Sequence, residues 1–236
     1  MCICLGVHVK NTRELILKRT TRNEEDEYTN ITIPLSLHHG NSKVILINSP
    51  GLGVAKDGEN GQFKNIANRL QRSGIASVIR YQSSLGDFAF KKIGMEPLLM
   101  DNLREVINYA LKEAHLICGS KTPELFLAGH SAGASTSAAV AYEYPQVSKM
   151  LLIAPSADID PELVRKGLLN FSGELYITIG DKDYVISQEA AQNLVEWATK
   201  AKSRKLVTVS DCDHDFSGEI NSKKLCEAYF WAFNEG

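Results

Sequence analysis

The sequence predicts an α/β fold, a three-layer αβα sandwich around a mostly parallel sheet with antiparallel strands at its N-terminal edge. Three observations carry that expectation. From Lys43 onward, short apolar runs without period-two alternation recur, as strands buried on both faces require. Each run is followed by a segment with apolar residues at helical spacing, the coupling that builds crossover units. The 236 residues are 44% hydrophobic and 23% charged, with 17 Gly and only 7 Pro, which supplies a sizeable core and excludes collagen-like, low-complexity and disordered chains.

The elements follow in order. Before Lys43, the runs Ile3–Val9, Glu14–Lys18 and Ile31–Leu37 are short and β-prone, separated by Asn11-Thr12 and by the acidic tip Arg22–Glu27. Val44–Ile47 reads as a buried strand; a Gly-rich loop leads from it to a helix face of Phe63, Ile66, Ala67 and Leu70. Ile75–Ile79 is the next strand, with Leu99, Leu103, Val106, Ile107 and Ala110 marking the helix after it. Leu125–Ala128 precedes an Ala-rich helix over Ser131–Tyr142; Met150–Ala154 precedes a short helix over Pro161–Leu168. Leu175–Ile179 is paired with a helix through Ala191, Leu194, Val195 and Ala198, and Leu206–Val209 with a closing helix over Leu225–Phe233. Without a repeat or a linker, residues 1–236 read as one domain. The stretch from Ser156 to Ser172 holds one short helix, too little for a large cap domain.

Composition also narrows the partners. With 26 Lys+Arg against 28 Asp+Glu the net charge is −2, and the one charge run, Glu24-Glu25-Asp26-Glu27, is acidic, so nucleic acid is not expected as a partner. Cys2, Cys4, Cys118, Cys212 and Cys226 form no C-x-x-C pair, which speaks against a disulfide framework or a zinc site. Met1–Val9 has no basic residues before it and is interrupted by His8 and Lys10, too short for a signal peptide. No apolar run approaches the ~20 residues of a membrane span. A cytoplasmic protein with free thiols is the expectation.

In a parallel sheet, chemistry belongs in the loops leaving the carboxyl ends of the strands. The loop after Leu125–Ala128 reads Gly129-His130-Ser131-Ala132-Gly133. A G-x-S-x-G set between a buried strand and a helix lifts the Ser hydroxyl out of the sheet on a sharp turn; the alternative role for Ser131 is an N-cap. A serine hydroxyl needs a base to take its proton. His8, His38 and His39 lie in the N-terminal strands, His115 follows a helix and His130 is inside the elbow, whereas His214 alone sits in a loop after the last strand. An orienting carboxylate is available at Asp181 or Asp183, with Asp158 and Asp160 ranked behind. Asp211, Asp213 and Asp215 surround His214 in sequence and are expected to favour its charged form.

The chain order Ser131, Asp183, His214 resembles the α/β-hydrolase family, and within it the small capless esterases of dienelactone-hydrolase type, over nearly the whole chain from Lys43. The resemblance implies an α/β-hydrolase fold with Ser131 as nucleophile, Asp183 as acid and His214 as base. Asp183 is preferred because the family's acid usually stands third after the strand-ending glycine, here Gly180. It also implies an oxyanion hole from the backbone N–H groups of Ala132 and Leu52. Two departures stand out: Pro50-Gly51-Leu52-Gly53 replaces the frequent His-Gly-x-Gly, and Arg80-Tyr81-Gln82 lacks the Asp of an Arg-x-Asp run. The implied activity is cleavage of a small carboxylic ester or thioester through an acyl-enzyme, without metal or organic cofactor, at a site open to solvent. An acyltransferase or peptidase using the same triad, or a catalytically silent binding protein, are the other readings.

Overall fold

The computed structural model describes residues 12–22, 28–83 and 93–234. The predicted strand Ile3–Val9 and the tip residues 23–27 lie outside them.

Eight strands form one sheet: β1 (Thr12–Arg22), β2 (Tyr28–His38), β3 (Val44–Ser49), β4 (Ser77–Tyr81), β5 (Glu124–His130), β6 (Val147–Ile153), β7 (Glu174–Gly180) and β8 (Ser203–Val209), in the spatial order β1-β2-β4-β3-β5-β6-β7-β8. The pairs β1·β2 and β2·β4 are antiparallel and all others parallel, so the antiparallel strands stand at the N-terminal edge.

The core strands alternate between two apolar faces. Ile45, Ile47, Leu125, Leu127, Met150, Leu152, Leu175 and Ile177 face α2 (Met95–Lys112), α3 (Ala114–Cys118), α4 (Ala132–Val140), α5 (Pro161–Asn170) and α6 (Gln188–Trp197). Leu46, Phe126, Ala128, Leu151, Ile153 and Tyr176 face α1 (Gln62–Arg72) and α7 (Gly218–Asn234). Each fully buried Leu or Ile contributes about 2 kcal/mol. Burial on both faces is why the strands read as continuous apolar runs.

Several boundaries differ from the sequence expectation, each for a local reason. Glu14–Lys18 and Ile31–Leu37 are the centres of 11-residue strands, because the ladder continues through polar residues to Arg22↔Tyr28. Ile75 does not open β4; its N–H donates to the carbonyl of Leu70 (3.1 Å) and closes α1. At its other end β4 runs on through Arg80 and Tyr81, both buried. The helix from Ser131 to Tyr142 is α4 followed by a 3₁₀ turn, Ala141–Glu143. Between β6 and β7 the structure places α5 alone, without a cap. Among the described residues no helix is long and apolar enough to cross a membrane.

Candidate active site

The carboxyl ends of β5, β7 and β8 bring Ser131, Asp183 and His214 together. Ser131 sits between β5 and α4 at φ 53, ψ −123, a conformation that costs on the order of 1–3 kcal/mol. Its N–H donates to the carbonyl of Ile153 on β6 (2.9 Å). The two motif glycines are dictated by contact: a Cβ on Gly129 would lie 2.3 Å from the carbonyl oxygen of Gly133, and one on Gly133 would lie 2.4 Å from those of Ser49 and Pro50. Ser131 makes no side-chain cap bond to α4. Its Oγ lies instead 3.0 Å from Nε2 of His214.

His214 is placed by the packing of its loop on the end of β7, where a Cβ on Gly180 would lie 2.0 Å from the carbonyl oxygen of Cys212. Its Nδ1 is 2.9 Å from Oδ2 and 3.1 Å from Oδ1 of Asp183. The Asp183 carboxylate is fully buried, and Oδ1 also accepts from the backbone N–H groups of Val185 (2.8 Å) and Ile186 (3.1 Å). An ionised carboxylate only accepts, so Nδ1 of the neutral imidazole carries the proton. Nε2 is then the acceptor for the Ser131 hydroxyl.

The other sequence candidates are engaged elsewhere. Asp181 accepts from the N–H of Cys212 (3.2 Å), and the backbone N–H groups of Asp211 and Cys212 hold its carboxyl below the usual range. Asp158 accepts from the Ser156 hydroxyl, and Asp160 caps α5 through the N–H of Glu162 (2.9 Å). Of the three aspartates flanking His214, Asp211 pairs with Lys182 (2.8 Å) and Asp213 accepts from the N–H of Ser217 (2.8 Å).

One residue that sequence reasoning set aside belongs to the site. His130 is buried, and its Nε2–H donates to the backbone carbonyl of His214 (3.0 Å), tying the elbow to the histidine loop. Burial pushes its imidazole toward the neutral form, and among the described residues its Nδ1 has no partner. Its position inside the elbow motif was the available signal.

The loop after β3 passes over the elbow: a Cβ on Gly51 would lie 3.2 Å from Cβ of Ser131. The N–H of Val54 donates to the carbonyl of Gly51 (3.2 Å), and Gly53 supplies φ +71 in the resulting turn. Leu52 is the exposed second residue of that turn. Among the described residues neither its N–H nor that of Ala132 donates to another protein group.

His130, His214 and Asp215 bring ligand-type atoms within 4.8 Å of one another. Both His214 nitrogens serve Asp183 and Ser131, and Nε2 of His130 serves the His214 carbonyl. That leaves two donors where a catalytic zinc takes three. Beside Asp183 lies an apolar cavity of about 180 Å³ whose walls include Ser135, Ile159, Val164, Val185, Ile186 and Trp197.

No protein-family model matches the sequence, and no curated protein is significantly similar to it. Solved structures share the architecture. The dienelactone hydrolase of Anabaena variabilis is 14% identical with a TM-score of 0.72, the match covering 95% of this chain and 98% of that one. The esterase domain of a Rhodothermus marinus protein is 17% identical with a TM-score of 0.66, over 93% of this chain and 98% of that one. A lidless α/β serine hydrolase from Xanthomonas campestris is 18% identical with a TM-score of 0.62, over 93% and 94%. The chain has the α/β-hydrolase fold.

Proposed function

We propose that this protein is a serine hydrolase that cleaves carboxylic esters or thioesters through an acyl-enzyme. The observation that carries the reading is the unbroken relay from the strained Ser131 through His214 to buried Asp183, at 3.0 and 2.9 Å. That esterases and a dienelactone hydrolase share the fold supports it.

His214 Nε2 takes the hydroxyl proton as Ser131 Oγ attacks the carbonyl carbon. The N–H groups of Ala132 and Leu52 stabilise the oxyanion that forms. The imidazolium returns its proton to the departing alkoxide or thiolate, then accepts one from the water that attacks the acyl-serine. Asp183 stays ionised throughout and holds the ring with Nδ1–H inward. No step calls for a metal or an organic cofactor.

The cavity suits the apolar part of a small substrate. Val185 and Ile186 in its wall donate to Asp183, and Ser135 lies one helical turn beyond Ser131. A dry cavity of roughly 150 Å³ holds benzene, so one aryl ring or a chain of about six carbons is the size expected here.

The test is labelling by a fluorophosphonate probe together with turnover of nitrophenyl esters, acyl thioesters and short peptides, with and without added alcohols or amines. Wild type should be labelled and hydrolyse the esters, and Ser131→Ala should lose the label and at least ~10⁴ of the rate. Labelling that persists at another serine in Ser131→Ala overturns the reading.

A further inference from the structure

The end of β4, where Arg80-Tyr81-Gln82 stands in place of Arg-x-Asp, packs directly under the loop that presents Leu52. Gln82 uses both ends of its amide there: Oε1 accepts from the backbone N–H of Lys56 (2.8 Å) and Nε2 donates to the backbone carbonyl of Val54 (3.1 Å). The two bonds fix the amide's orientation, since a swapped amide would face donor to donor and acceptor to acceptor. Arg80, 1% exposed, donates from Nη1 to the carbonyl of Lys56 (3.0 Å) and to the carboxylate of Asp57, and from Nε to Nε2 of His38 (3.0 Å). The Lys56 ammonium reaches out to Ser36 (2.7 Å) and Glu14 (3.1 Å), while the carbonyl of Asp57 accepts from the N–H of Phe63 (2.9 Å) at the start of α1.

The loop is thereby held on both sides of the Leu52 turn. Before it, Ser49 and Pro50 press on Gly133 so closely that no Cβ fits; after it, Val54, Lys56 and Asp57 are tied to β4. Three residues, Gly51 to Gly53, bridge these anchors, in a turn closed by the N–H of Val54 on the carbonyl of Gly51.

We propose that Gln82, supported by Arg80, is a positioning residue for the oxyanion hole: its amide holds the Val54–Lys56 backbone and so aims the Leu52 N–H at the developing oxyanion. The proposal rests on the hydrolase reading. A donor is effective only when placed where the oxyanion, not the ground-state carbonyl oxygen, will be, and a misplacement of about 1 Å costs on the order of 10²-fold.

The test compares wild type, Gln82→Met and Gln82→Glu. Methionine keeps the length of the side chain and removes both bonds; glutamate keeps the acceptor for the Lys56 N–H and sets a carboxylate against the Val54 carbonyl. Each is assayed for kcat and KM on a nitrophenyl ester and for inhibition by a trifluoromethyl ketone of the same acyl group, whose adduct with Ser131 carries the oxyanion. For Gln82→Met we expect kcat to fall by about 10- to 100-fold, KM to stay within about threefold, and ketone affinity to fall in step with kcat. Gln82→Glu should lie between wild type and Gln82→Met, and it carries the test alone if Gln82→Met does not fold. In Gln82→Met, which adds no charge, the acidic limb of the pH profile should not move. Unchanged kcat and ketone affinity in the variants, or a loss confined to KM or to thermal stability, overturn the proposal. Fluorophosphonate labelling of wild-type Ser131 is read first: labelled wild type with a fully active Gln82→Met removes the positioning role alone, whereas unlabelled, inactive wild type removes the hydrolase reading and this proposal with it.

Discussion

Acid should loosen this fold through one buried imidazole. His38 on β2 is 1% exposed; its Nδ1–H donates to Asn68 (3.0 Å), which leaves Nε2 unprotonated as acceptor for the Arg80 guanidinium (3.0 Å). Burial first, and the Arg80 charge second, push its pKa from 6.5 down to about 4, with the Asn68 hydrogen bond and then Glu14 and Asp57 pulling the other way. Between these values the unfolded chain binds the proton and the folded one does not. The stability held above pH 6.5 is therefore lost as pH falls toward about 4. At roughly 1.4 kcal/mol per pH unit the loss comes to about 3 kcal/mol. The carboxylates around it also weaken the fold in acid, so the measurement is a difference: urea unfolding of wild type and His38→Gln at about pH 7.5 and about pH 4. Glutamine offers Arg80 an acceptor that does not titrate. Wild type should lose about 3 kcal/mol more than the variant over that interval. Equal losses in the two proteins would refute the argument, since they would mean that the fold does not weaken the affinity of His38 for its proton.

Three further outcomes follow from the site. Asp183→Asn should cost on the order of 10⁴ in kcat, whereas Asp181→Asn, on a carboxylate that bonds the backbone of the His214 loop and not the imidazole, should cost less than about tenfold; steady-state kinetics on one ester ranks them. Gly133→Ala sets a methyl against two carbonyl oxygens at 2.4 Å and should destabilise by about 3 kcal/mol or more, read as a fall in Tm of at least roughly 6 °C. With α5 the one element between β6 and β7, hydrolysis of a short-chain ester should saturate smoothly across its solubility limit, and a jump in rate when droplets appear would contradict an open site.

The fold was legible because its central strands are buried on both faces, so Val44–Ile47 or Leu175–Ile179 stands out without any knowledge of its neighbours. The elbow was legible for a related reason. Gly129 is forced by backbone contacts within the motif's own turn, and a local constraint leaves a local signature. Asp183 was less so: spacing left Asp181 and Asp183 level, and the resemblance ranked them where the structure separates them by their partners.

What stayed hidden is pairing across long sequence separations. Arg80 reads as a polar residue ending a strand, yet it is buried, because His38 from β2 and Asp57 from the β3 loop meet it there. Gln82 reads as the place where an expected Asp is missing. An Asp would offer only acceptors, and the loop presents one N–H, of Lys56, and one carbonyl, of Val54, to the same side chain. A primary amide meets both at once and a carboxylate meets only the first. The departure at this position is therefore matched to the loop it holds, and the sequence pattern around Leu52, which also departs from His-Gly-x-Gly, belongs with it: Gly51-Leu52-Gly53-Val54 makes the turn, and Gln82 fixes where the turn ends.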